Sequence, residues 1–191
     1  MPSVVDICNR ALDALGESNI TSLEDGTKPA NLCNRNWPMV RDEVLRLHPW
    51  NFAVRRATLA PSTTSPDWGF SYQHPCPSDM LRLIEVKDMS TNDYLLESDS
   101  DEGRVILADD DTLYIRYIAR VEDPQKYDDL FIAAVSARLT AELVEPLTQS
   151  NTKKADAWNA FDMAIRNAVS VDAQENPPAE LEEDDWVLAR F

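Results

Sequence analysis

The side chains in this chain that could do chemistry are mostly carboxylates. Asp99-Ser100-Asp101-Glu102-Gly103 begins like a calcium loop, in which oxygen donors at alternate positions surround a hard cation. The glycine comes one position early, however, and no glutamate stands where such a loop would end. Asp109, Asp110 and Asp111 follow, so a weak cation site is one alternative and a solvated acidic turn the better one. Glu142 and Glu145 are the pair a glycoside hydrolase would use, with one carboxyl on each side of the sugar bond. Three residues apart on one helix, they suit the flank of an interface better. Among 34 acidic residues such a pair carries almost no specificity.

Nucleophilic catalysis has less to work with. The only histidines are His48 and His74, each followed by a proline, and no Gly-x-Ser-x-Gly elbow is present. Neither a Walker A loop nor a Gly-x-Gly-x-x-Gly loop occurs, which argues against nucleotide hydrolysis. Cys8, Cys33 and Cys76 form an odd set without paired spacing, so unpaired thiols are expected and no disulfide framework or zinc site. The sequence predicts no catalytic residues, no cofactor and no metal.

The elements that hold these side chains follow from composition and periodicity. At 191 residues, with 43% hydrophobic and 27% charged side chains and four glycines, the chain can build one compact core, or one core with an inserted lobe. Its apolar runs are too short to span a bilayer, and Met1-Pro2-Ser3-Val4-Val5-Asp6 lacks the basic start and apolar stretch of a secretory leader. A soluble protein made in a cytosol is expected. A net charge of −16 repels a polyanion, so sequence-independent DNA binding is not expected, although a wall that DNA slides past would suit that sign.

Ser3 and Asp6 form a capping-box-like start to a first helix carrying Val4, Ile7, Cys8, Ala11 and Leu15, with Gly16 as its stop. A second helix presents Cys33, Trp37, Val40, Val44 and Leu47 as one stripe; Pro38 should kink or divide it, and Pro49 ends it. His48 precedes that proline and is pushed out of helical geometry, and Trp50 and Phe52 point to one face of the segment beyond. Candidate strands lie at Phe52 to Leu59, Trp68 to Tyr72, Leu81 to Val86, Arg104 to Leu107 and Leu113 to Ile118. The last carries apolar residues on both faces and reads as central. Val105 to Ile115 reads as an antiparallel hairpin across Ala108-Asp109-Asp110-Asp111-Thr112.

Helical spacing returns after Pro124. Leu130, Ala134, Ala137, Ala141 and Val144 form a small-residue stripe beside Phe131, Val135, Leu139 and Leu143, and Pro146 ends that helix. A fourth helix from about Asn151 to Ala173 carries Trp158, Phe161, Ile165 and Ala168. Asn176-Pro177-Pro178 then closes the globular part. The acidic stretch beyond it finishes in Asp185-Trp186-Val187-Leu188-Ala189-Arg190-Phe191, apolar side chains that stabilise only when buried and therefore look like a partner-binding tip. Lys28, Arg35, Arg41, Arg46, Arg55 and Arg56 make the front third less acidic. Pairing on helix surfaces with Asp42 and Glu43 is preferred to a DNA-facing patch, and subunit contact stays open. Trp37, Trp50 and Trp68 read as core and joint-filling residues rather than a ligand pocket.

The fold class expected is α+β and mainly helical. Residues 1–50 and 125–175 would make a four-helix bundle, 51–124 an antiparallel β insertion between helices two and three, and 176–191 an extended acidic and aromatic tail.

Ala11-Leu12-Asp13-Ala14-Leu15-Gly16-Glu17, Ile20-Thr21-Ser22-Leu23, Val40-Arg41-Asp42-Glu43-Val44-Leu45-Arg46 and His48-Pro49-Trp50-Asn51-Phe52-Ala53-Val54-Arg55-Arg56 come in an order and separation that resembles the tail tubular protein A family of phage head-to-tail adaptors. The likeness is best from Val4 to about Leu59 and continues more weakly through Trp68-Gly69-Phe70 and Pro77-Ser78-Asp79-Met80-Leu81-Arg82. Trp37-Pro38 departs from the family, which often has a tyrosine there. The resemblance implies a helical bundle with a β insertion, assembled as a homo-oligomeric ring, generally twelve-fold, between the portal protein and the tail nozzle protein. DNA would pass through the lumen without sequence-specific binding. It implies a virion location at the head–tail junction after synthesis in the host cytoplasm, no membrane, and no catalytic residues. The C-terminal tip from Asp185 to Phe191 would dock on the portal. Two other classes remain open: a virion-associated polysaccharide or cell-wall hydrolase, and a host-side interaction module.

Overall fold

In a computed structural model, which describes residues 2–175, Ser3 and Asp6 start α1 (Val4–Leu15) as a reciprocal cap. The Asp6 amide donates to Ser3 Oγ at 3.1 Å and the Ser3 amide to Asp6 Oδ2 at 2.9 Å. Gly16, at φ 77°, closes the helix in the left-handed conformation that a residue without a Cβ adopts easily. Thr27 caps α2 (Lys28–Leu47), which runs through Pro38 as one helix and is not divided. The lost amide bond is outweighed by burial of Ala30, Cys33, Trp37, Val40 and Val44 along one side. α3 (Asp129–Thr148) likewise passes Pro146 and stops at Gln149, whose φ is 53°. Lys28 Nζ donates to the Pro146 carbonyl there. α4 (Asn151–Glu175) follows directly.

The expected four-helix bundle is not what these helices build. Buried residues occur all round α3, from Phe131 and Ile132 to Arg138, Leu139, Leu143 and Val144, so α3 takes the centre. α1, α2 and α4 pack on it, whereas α1 and α2 touch each other only slightly. α4 buries just Ala157, Phe161, Ala168 and Asp172, a stripe wide enough for one neighbour. The chain is a mixed α+β fold in which the strands supply a second core of their own.

Among the described residues, six strands form two antiparallel sheets of three: β1 (Val54–Leu59), β2 (Tyr72–Pro75), β3 (Met80–Val86), β4 (Tyr94–Asp99), β5 (Gly103–Ala108) and β6 (Leu113–Ala119). The first sheet has the order β1-β6-β3 and the second β2-β5-β4. β6 is central, as its two-sided apolar pattern predicts. The expected β5–β6 hairpin is absent, because the two strands belong to different sheets. The link between them crosses over, and Asp109 Oδ1 pins it by accepting from Ser71 N and Ser71 Oγ, each at 2.9 Å. The true local hairpin is β4–β5, closing at Asp99 and Gly103. The expected strand at Trp68 begins only at Tyr72.

The first sheet is shared between two cores. Leu81, Ile118 and Val121 pack with the helices, while Met80, Val86, Leu113, Ile115 and Tyr117 pack toward Ile106 and Ala108 of the second sheet. Irregular pairing in β3 leaves the Leu81 carbonyl available, and two arginines reach it. Arg46 Nη1 from α2 donates at 2.6 Å and Arg104 Nη1 from β5 at 3.2 Å.

Candidate functional site

Between α2 and β1, Pro49 stops the helix and the chain turns at Trp50–Ala53 before it becomes extended. Trp50 is fully buried, and its indole N–H donates to the Val44 carbonyl at 3.0 Å. Its ring meets Phe131 edge-on at 5.1 Å, and Phe52 meets the same ring at 5.0 Å. Tyr127 completes the cluster from the third side, 4.9 Å from Phe131. Burial pushes the Tyr127 phenol up to about 12, and its O–H donates to the Val121 carbonyl at 2.6 Å. The joint is thus an aromatic lock: both rings face one way, but through a turn rather than a strand.

Polar groups at the joint are equally committed. Asp172, near the end of α4, lies 3.0 Å from His48 Nε2 and accepts from the Asn51 amide at 3.1 Å. Asn51 Nδ2 also donates to Asp172, to its main-chain carbonyl at 2.9 Å. Sequence reasoning missed Asp172, although it extends the spacing of Phe161, Ile165 and Ala168 and is therefore a carboxylate on a buried stripe.

Beside this clamp opens a cleft of about 940 Å³, lined by His48, Asn51, Arg56, Arg116, Asp172 and Glu175 among others. Its floor is the first sheet, whose register sets out rows across the strands. Val54, Ile118 and Arg82 form one row, and Arg56, Arg116 and Glu85 the next. Thr58 stands opposite Tyr114, and Lys87 beside it donates its amide to the Tyr114 carbonyl at 2.8 Å and holds its ammonium 5.8 Å from the ring. Helices cover Ile118, whereas Arg56, Thr58, Glu85, Lys87 and Tyr114 are exposed. Arg116 Nε pairs with Glu85 at 3.1 Å.

The other sequence candidates are drawn into structure. Asp99 to Gly103 is the β4–β5 turn: Asp99 Oδ1 accepts from the amides of Glu102 and Asp101, which hold its carboxyl below the ordinary value. Among the described residues no cluster of three metal-binding side chains forms. Glu142 pairs with Arg138 at 2.6 Å, and Glu145 with Lys154, whose hydrogen bond lowers the Glu145 carboxyl. Neither lines the cleft just described. Arg138 itself is buried, binds Glu43 Oε2 at 2.9 Å and lies 4.5 Å from the Trp158 ring, joining α2, α3 and α4. Burial works against its charge, but the bonds to Glu43 and Glu142 outweigh it and raise its pKa.

His74 is wholly buried, with Nδ1 3.3 Å from the Ile106 carbonyl and Nε2 without a partner among the described residues. Cys8 and Cys33 touch inside the helical core, and that contact together with burial raises the Cys8 thiol. Burial pushes Cys76 up to about 11.

Of the front-third cations, Arg41 pairs with Asp42 as expected and Arg55 with Asp79, while Arg46 reaches a carbonyl and Glu43 goes to Arg138. Trp37 and Trp50 are core residues, but Trp68 is 85% exposed beside Leu95 on the outer face of the second sheet, correcting its expected burial. The tip from Asp185 to Phe191 lies outside the described residues, and among those described no helix is long and apolar enough to cross a membrane. No protein-family model matches the chain, and no curated protein is significantly similar to it.

Proposed function

We propose that this chain is a shaped joining piece, a head-to-tail adaptor of a tailed phage whose copies form a ring between portal and tail nozzle while DNA passes through the lumen. The motif order from Val4 to Leu59 supports this, and the observation that carries it is the use of the chemistry-bearing groups. His48, Asp172, Glu142, Glu145 and Asp99 are all tied into internal hydrogen bonds or ion pairs. Large apolar side chains meanwhile stand on the surface: Trp68 and Leu95 on the outer sheet, Met39 and Leu47 on α2, and Met163 on α4. Such surface gains stability when a neighbour covers it. In the assembled ring, subunits associate side by side and Asp185 to Phe191 dock on the portal.

The test is electron microscopy of the chain mixed with a candidate portal. Ring density on one portal face is expected. Removing residues 179–191 should leave a folded subunit whose association is weakened. A portal that stays bare at micromolar concentrations of the intact chain would sink the proposal.

A further inference from the structure

We propose that the open face of the first sheet is a docking surface for the acidic segment that follows α4 in the same chain, Glu180-Leu181-Glu182-Glu183-Asp184-Asp185. This holds whether or not the chain belongs to a virion, since it requires no outside partner.

The sign of the charge carries the first step. In a chain of net charge −16, this face gathers Arg56, Arg82, Lys87 and Arg116, against Glu85 and Asp88, with Glu175 at the cleft's edge and Asp172 already committed to His48 and the Asn51 amide. Arg56 and Arg116 stand directly opposite each other in the antiparallel register, a placement that brings the Cβ atoms within about 5 Å and is unfavourable for like charges. Glu85 answers Arg116, but Arg56 has no ion pair among the described residues. An anion placed along this row would relieve the repulsion and complete the pairing. Tyr114, 54% exposed in the next row, adds a ring on which an apolar side chain can rest.

Chain path carries the second step. α4 delivers Glu175 into the cleft that Arg56 and Arg116 also line. Glu180 to Asp185 follow by five to ten residues, a reach of about 17 to 35 Å when extended. Tyr114 lies only two strand positions from Arg116, about 7 Å. A tethered anion of this kind acts at an effective concentration on the order of millimolar, whereas an outside polyanion must first overcome repulsion by the rest of the chain.

The experiment is zero-length carbodiimide coupling of carboxylates to lysines in the full chain, using an equal mixture of ¹⁵N-labelled and unlabelled protein, with links mapped by mass spectrometry. Lys87 is the lysine on this face; Lys28, Lys126, Lys153 and Lys154 are internal comparisons. Links from residues 180–185 to Lys87 should arise within one chain and exceed those to Lys126 at least about fivefold. They should fall several-fold at about 0.5 M salt and in Arg56→Glu, an exposed position whose folding is checked by circular dichroism. Equal coupling to all five lysines would overturn the proposal. So would light–heavy links, which assign the face to a second copy, or protection of Lys87 by short duplex DNA without any tail link.

Discussion

Asp172 on α4 and His48 at the end of α2 sit 3.0 Å apart, although 124 residues separate them. The same carboxylate caps the Asn51 amide, so the last turns of α4 are fastened to the joint that launches β1. Cutting this clamp tests whether the joint is held from outside itself.

Asp172→Ala should destabilise the chain by about 1–3 kcal/mol, since the Asn51 amide loses its acceptor in a half-buried setting. Hydrogen exchange should accelerate first between Ser170 and Glu175. Uniform acceleration across α4 would show instead that the helix is held elsewhere.

Arg138 is the second long-range tie, with Glu43, Glu142 and the Trp158 ring around its guanidinium. Arg138→Ala should lose about 3 kcal/mol by urea denaturation, because it removes both the ion pairs and the packed stem. Arg138→Met should recover at least about half of that loss, since it refills the buried volume.

His74 occupies the second core with one ring nitrogen unpartnered among the described residues. His74→Leu keeps the volume and removes the unsatisfied polar atom, so a gain of about 1 kcal/mol is expected in thermal melting. A loss of similar size would mean that the Ile106 contact outweighs the orphaned nitrogen.

Asp6, Asp25, Asp93 and Asp99 all have carboxyls lowered by hydrogen bonds from the turns or helix start they cap. For a carboxyl lowered in the folded state, the stability it adds is complete above the ordinary value of 3.8 and is lost as pH falls through the folded value. Loss of stability should therefore begin near pH 4 and deepen below it, with the β4–β5 turn exchanging amides earlier than β6. A flat stability profile from pH 5 to 2 would contradict this.

Cys76 offers a chemical check, because burial places its thiol at about 11 against an ordinary 9.0. Alkylation at pH 8 should be about a hundredfold slower than for a small thiol of ordinary acidity. It should rise steeply as the pH approaches that value.

What could be read beforehand was local. Ser3, Asp6 and Gly16 mark α1 because caps act within a few residues, and the two-sided pattern of Leu113 to Ile118 marks a central strand for the same reason. Strand partners are not local, so an alternating run at Val105 could not say that β5 belongs with β2 and β4. β4 escaped notice because most of its residues are exposed, leaving no alternation between wet and dry faces. The bundle failed as an expectation because four apolar stripes do not reveal that one helix is covered all round. The candidate site fared similarly: its residues come from α2, β1, β3, β6 and α4, and only the register places Arg56 against Arg116.

The Leu81 oxygen, shared by Arg46 and Arg104, has a mechanical meaning. A pull on the second sheet reaches α2 through the β3 backbone at Met80 and Leu81 and two guanidinium arms, since Arg104 Nη1 also donates to the Met80 carbonyl at 3.0 Å. Force along this line would load β5, β3 and α2 together.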